Sequence, residues 1–118
     1  MKKGLLFIAH GSPSTAANTE FLTLSDRVRE SKPNLLVAPC FLEGKPSISD
    51  AIDNLVKRQA KEIIVLPYFL VAGKHIVTDV PTMIELKRKQ YPEVKMEILP
   101  HIGAAGTLLP VILGLIQP

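Results

Sequence analysis

The chain has 118 residues, 47% of them apolar and 21% charged, with 14 Lys plus Arg against 11 Asp plus Glu for a formal net charge of +3. That length fits one α/β domain over residues 1–118, burying about two thirds of the surface its unfolded form exposes, and the balance excludes a disordered or fibrous chain. The basic residues are scattered, and two Tyr, four Phe and no Trp offer no stacking platform for bases, so no nucleic-acid partner is expected.

Residues 3–9 form a compact apolar run that ends in His10-Gly11-Ser12-Pro13, the pattern of a buried strand followed by a sharp loop. The run is too short for a signal peptide's apolar core and meets no cleavage site. Ala17, Phe21, Leu24 and Val28 then recur at helical spacing over about 14–31, and Pro33-Asn34 stops that helix. A second strand over 35–40 exits through Phe41-Leu42-Glu43-Gly44-Lys45, which puts a carboxylate just beyond the strand end.

Pro46 opens a second helix, with Ser47 and Asp50 as a capping-box-like start and Ile48, Ile52, Leu55 and Val56 as its buried stripe. Residues 62–67 are a third strand, rich in Ile and Val. A long exit loop over 68–79 is expected to carry Gly73-Lys74-His75, with Asp79 capping a third helix that starts at Val80-Pro81 and ends near Gln90. A fourth strand spans 94–99, and a final short helix spans about 107–116, with Pro110 in its first turn. That last apolar segment is too short to cross a bilayer, so no membrane partner is expected. The lone Cys40 excludes an internal disulfide and fits a cytoplasmic chain.

Four strand-then-helix units, with strands apolar on both sides, imply a parallel sheet with helices on both faces. A flavodoxin-like strand order of 2-1-3-4 follows most simply from right-handed crossovers. Its switch point lies between strands one and three, where ligands lodge outside the carboxyl ends. His10 and His75 then reach the same rim. Imidazole is a borderline ligand for Fe, Co, Ni, Cu or Zn and an effective proton acceptor near neutral pH. Glu43 exits strand two at that rim as a third ligand, a proton acceptor or an orienter of an imidazole; alone it would count as a solvated carboxylate.

His10-Gly11-Ser12 with Asn18, Phe41-Leu42-Glu43 with Pro46-Ser47, and Pro67-Tyr68-Phe69-Leu70 through Gly73-Lys74-His75 to Asp79-Val80-Pro81 resemble the short sirohydrochlorin chelatases. These belong to the ATP-independent class II group of cobaltochelatases, ferrochelatases and nickel chelatases. The resemblance runs from about Lys3 to Leu115 and includes the Ile102-Gly103 turn; it departs at Pro13, where relatives often carry Arg. It implies a flavodoxin-like chelatase fold and a metal site of His10 and His75 assisted by Glu43. It also implies an acidic tetrapyrrole substrate, with a divalent metal as co-substrate (cobalt first, iron or nickel otherwise), no organic cofactor, and a homodimer of C2 symmetry.

On this reading His10 is the principal base and a metal ligand, His75 the second ligand and Glu43 an auxiliary acceptor. Ser12 and Ser14, beside the first helix start, and Lys74 are candidates for binding substrate carboxylates, although capping alone explains the two serines almost as well. Asn18 is expected to brace the first loop and Cys40 to be a core residue, while His101 lies outside the motifs.

Three other readings compete. His10-Gly11 suggests phosphohistidine chemistry, but Ala9 stands where that chemistry requires an arginine. The hydroxyl-rich stretch 11–19 at a helix start suits a flavodoxin-like FMN-binding protein, for which aromatic flanks are thin. A non-catalytic carrier of metal and tetrapyrrole would bind both without accelerating their union.

Overall fold

The computed structural model describes residues 2–104 and 106–117, and of His75 the backbone only. The elements run β1 (Lys2–Ala9), α1 (Thr15–Ser31), β2 (Leu35–Phe41), α2 (Ile48–Lys57), β3 (Ala60–Pro67), α3 (Lys74–Gln90), β4 (Lys95–Ile98) and α4 (Leu108–Ile116). All strand pairs are parallel and the sheet order is β2-β1-β3-β4, the order expected from the sequence.

β1 sits between β2 and β3, with Ile8 beside both Cys40 and Pro67, so both of its edges are paired. Leu5, Phe7 and Ala9 point with Val37 and Phe41 toward Phe21 of α1. Leu6 and Ile8 point the other way, with Cys40, Ile63, Val65 and Met96, toward Ile52 and Leu55 of α2 and Val80 and Ile84 of α3. This two-sided burial explains why the strand reads as an unbroken apolar run rather than an alternation. Cys40 is fully buried in this layer, and burial pushes its thiol up to about 12, which leaves it a core residue and not a thiolate ligand.

Serine caps start the first two helices: Ser14 Oγ accepts from Ala17 N and Ser47 Oγ accepts from Asp50 N at 3.1 Å. The third helix differs from expectation. It begins at Lys74, not at Val80, with Gly73 as its N-cap, so residues 74–79 form its first turns and Asp79 is not a cap. Two breakers, Gly73 and Pro81, obscured a stripe of Ile76, Val80, Ile84 and Lys87 that runs through the proline at helical spacing. An internal proline costs about 3 kcal/mol. Burying Val80 and Ile84 returns roughly 1.5–3 kcal/mol each, enough to carry the helix across it.

α2 and α3 are tied by a polar contact inside their apolar seam. The buried Lys87 ammonium donates to Asp53 Oδ1 at 2.8 Å and to Gln90 Oε1 at 3.1 Å, and the Tyr91 hydroxyl donates to the same Asp53 oxygen at 2.6 Å. Partial burial pushes the Asp53 carboxyl up, but the hydrogen bonds from Lys87 and Tyr91 and the ammonium charge outweigh it and hold the group below its ordinary value. The Tyr91 hydroxyl is raised, first by its bond to Asp53.

Because the folded Asp53 carboxyl is depressed, its contribution is present above its unfolded value of about 3.9 and is lost as pH falls through the folded value. Asp53→Asn is therefore expected to lower stability by roughly 1–2 kcal/mol at neutral pH, a figure reduced for the half-exposed carboxylate. Urea midpoints at pH 7 and below pH 4 check this: the gap between wild type and variant should narrow in acid, and coincident midpoints at pH 7 would contradict it.

Candidate functional site

The site is built where β1 and β2 leave the sheet. Leu42 N donates to Ala9 O at 3.0 Å and Glu43 N donates to His10 O at 2.9 Å, so the two exits are laced together by their backbones. His10 Nδ1 and Glu43 Oε2 stand 4.0 Å apart, with both side chains more than half exposed. His10 Nδ1 also lies 3.2 Å from Gly11 O. An imidazole and a carboxyl group at this separation can share a proton through water or hold a cation between nitrogen and oxygen donors.

Glycine follows the histidine for a steric reason. Gly11 has φ +93°, and a Cβ there would sit 2.1 Å from Glu43 O, inside van der Waals contact with the backbone that carries the carboxylate. Beyond it, Ser12 is held at both ends by Asn18: Ser12 N donates to Oδ1 at 3.1 Å and Asn18 Nδ2 donates to Ser12 O at 2.8 Å. Ser12 Oγ accepts from Ser14 N at 3.0 Å. Both serine hydroxyls are thus acceptors within the loop and cap, and each keeps its own O–H to donate outward.

Beneath this rim Phe7, Phe21, Phe41 and Tyr68 pack with ring centroids 4.8–5.6 Å apart, a cluster that stiffens three strand ends at once. Tyr68 N donates to Ile8 O at 2.7 Å, and Gly103 N to Phe69 O at 3.0 Å. A Cβ on Gly103 would meet Leu70 O at 1.7 Å, so the loop after β3 lies directly on the turn after β4. Leu70 and Val71 remain 71% and 83% exposed on that loop, leaving an apolar ledge at the carboxyl end of the sheet.

His10 and Glu43 open onto a cleft of about 340 Å³ whose other lining includes Phe41, Leu42, Ile48, Ile76, Asp79 and Met83. The first three turns of α3 form one wall. His75, expected in a loop, lies in the first turn of that helix, next to the cleft-lining Ile76; its side chain is outside the described residues. Lys74 is exposed at the helix start, and its carbonyl accepts from Thr78 Oγ1 at 3.2 Å.

Asp79 is the residue that sequence reasoning missed. Read as a cap, it instead lines the cleft one turn after His75, and the four-residue spacing becomes informative only once the helix is extended back to Gly73. His101 belongs elsewhere, in a separate apolar groove with Phe69, Val77, Val80 and Ile98. Among the described residues no three His, Cys, Asp or Glu side chains converge closely enough to hold a metal ion unaided.

The CbiX family model matches residues 4–117. The chloroplastic sirohydrochlorin ferrochelatase of Arabidopsis thaliana is 30% identical over 115 residues, 97% of this chain and 51% of that protein. A sirohydrochlorin cobaltochelatase of Priestia megaterium is 33% identical over 94 residues, 78% of this chain and 30% of that protein. The chain therefore spans about half the length, or less, of these curated relatives. A crystal structure of a cobalamin biosynthesis CbiX protein from Marinobacter aquaeolei superposes with a TM-score of 0.81 at 26% identity, covering 97% of this chain and 93% of that one.

Gly11→Ala and Gly44→Ala separate steric from conformational demand, since Gly44 also has positive φ (+139°) but only Phe41 side-chain atoms near its Cβ position, the closest at 3.6 Å. Both should destabilise, and Gly11→Ala should do so by about 1–3 kcal/mol more, because the Glu43 backbone must also move. Equal urea midpoints for the two variants would contradict the close-approach argument.

Proposed function

The chain belongs to the CbiX family, and from that premise we propose that it inserts a divalent metal ion, cobalt first and iron or nickel otherwise, into sirohydrochlorin or a closely related acidic tetrapyrrole. The observation that carries the proposal is the His10–Glu43 pair, 4.0 Å apart on a cleft at the carboxyl ends of the strands, beside the helix start that bears His75. The relatives' names include both ferrochelatase and cobaltochelatase, in line with an imidazole site whose metal preference depends on geometry and supply.

Insertion exchanges two pyrrole N–H protons for one M²⁺, so the site must deliver a partly dehydrated cation and remove two protons. His10 is assigned as metal ligand and principal base, His75 as second ligand, and Glu43 as the acceptor that relays the second proton to solvent through its exposed oxygens. Ser12, Ser14 and Lys74 are assigned to the substrate's carboxylates. The exposed Leu70 and Val71 ledge offers an apolar surface to the ring's face.

A cleft of about 340 Å³ on one chain holds the metal and an edge of the ring. We therefore infer that two copies close around the rest, forming a homodimer. No described helix is long and apolar enough to cross a membrane, and the reaction is proposed to run in the cytoplasm.

Metallation followed by absorbance with Co²⁺, Fe²⁺ and Ni²⁺, with and without protein, tests the proposal. His10→Ala, which removes a half-exposed side chain, should slow insertion by roughly 10²- to 10⁴-fold. Near-normal turnover by folded His10→Ala would remove it from the chemistry. Binding of both substrates without acceleration by the wild type would make the protein a carrier.

A further inference from the structure

The helical wall of the cleft carries a carboxylate in a place where helices do not favour one. Asp79 lies in the second turn of α3, beyond the first turn where a negative charge stabilises a helix, and the N-cap position belongs to Gly73. Aspartate is also among the weaker helix formers. Here it is partly buried, in a wall that it shares with Ile76, Thr82 and Met83, and among the described residues no Lys or Arg lines the cleft.

On a helix, a side chain meets those three and four positions away. For Asp79 these are His75, Ile76, Thr82 and Met83. Ile76 and Met83 have no N–H or O–H to give, and Thr82 Oγ1 donates to Thr78 O at 2.9 Å. That leaves the imidazole of His75. Positions 75 and 79 lie about 40° apart around the helix, and position 75 falls inside the arc that Thr82, Asp79, Met83 and Ile76 present to the cleft. Joint ligation by Asp79 with His10 and Glu43 has no support in the geometry, since no three such side chains converge among the described residues.

We propose that Asp79 is the positioning residue of the second imidazole: its carboxylate accepts the His75 ring N–H that faces away from the cation, which fixes the tautomer and leaves the other nitrogen for the metal. The proposal rests on the assignment of His75 as a metal ligand and deepens it. A metal-binding imidazole held in this way is a more basic and better oriented ligand. The two histidines are then matched, His10 with Glu43 across two strand exits at 4.0 Å and His75 with Asp79 along one helix. The continuation of α3 back to Gly73 is what gives the second pair its register.

Co²⁺ titration of the full chain, without tetrapyrrole, tests the pairing, with far-ultraviolet circular dichroism confirming the fold of each variant. Asp79→Ala should weaken Co²⁺ binding about 10- to 100-fold, and Asp79→Asn, which keeps an acceptor oxygen, should lose less. In the His75→Ala background the same Asp79→Ala change should cost less than about twofold, whereas in the His10→Ala background it should keep most of its effect. A merely structural role would act alike in both. In the proton NMR spectrum of the Co²⁺-loaded wild type, one hyperfine-shifted ring N–H should exchange slowly with water, and in Asp79→Ala it should exchange fast. That spectrum decides the question even where a double variant binds too weakly to titrate.

Unchanged Co²⁺ affinity in folded Asp79→Ala, an undiminished loss in the His75→Ala background, or ring N–H exchange indifferent to Asp79 would each overturn the pairing. Metallation is scored separately. A protein that shows the coupling but never metallates supports the pairing and removes the chelatase reading. Metallation by an Asp79→Ala variant with wild-type rate and Co²⁺ affinity overturns the pairing and leaves that reading standing.

Discussion

The contact on which the site depends is the approach of two backbones, β1's exit at Gly11 against β2's exit at Glu43. No side chain fits between them. Two amide bonds, Leu42 N to Ala9 O and Glu43 N to His10 O, extend the sheet's pairing past its last ladder position and deliver an imidazole and a carboxylate side by side. The His10–Glu43 pair is therefore positioned by main-chain geometry and stays exposed to solvent. A pair fixed by its own burial would be a structural ion pair instead, and α2 and α3 supply that contrast. The Lys87 ammonium is buried and fully engaged by Asp53 and Gln90, which makes it a clamp between helices and not a site.

Sequence patterning carried most of the fold because the determining features are local and strong. β1, β2 and β3 are apolar on both faces, their exits are marked by Gly and Pro, and Ser14 and Ser47 cap as their positions suggest. Parallel pairing and the crossover rule then left few strand orders, and β2-β1-β3-β4 is the one found. Placing His10 and Glu43 at one rim needed only that order and the strand ends.

The start of α3 was misread because two residues that ordinarily end helices, Gly73 and Pro81, flank a segment whose helical register is set by burial against the sheet. Propensity is local and was legible; the compensating burial of Val80 and Ile84 is tertiary and was not. The same error hid Asp79 from the site. α4 was legible as a helix, but no pattern within it could reveal that none of its residues is buried, since that depends on how the rest of the chain packs around it.

On the proposed function, the imidazoles of His10 and His75 capture the incoming cation together, while Glu43 takes up a proton. X-ray absorption spectroscopy of the Co²⁺-loaded protein addresses it without reference to turnover. Outer-shell scattering characteristic of imidazole, fitted with two histidines, is the expected result. A first shell made of water oxygens alone, with no imidazole scattering, would contradict it.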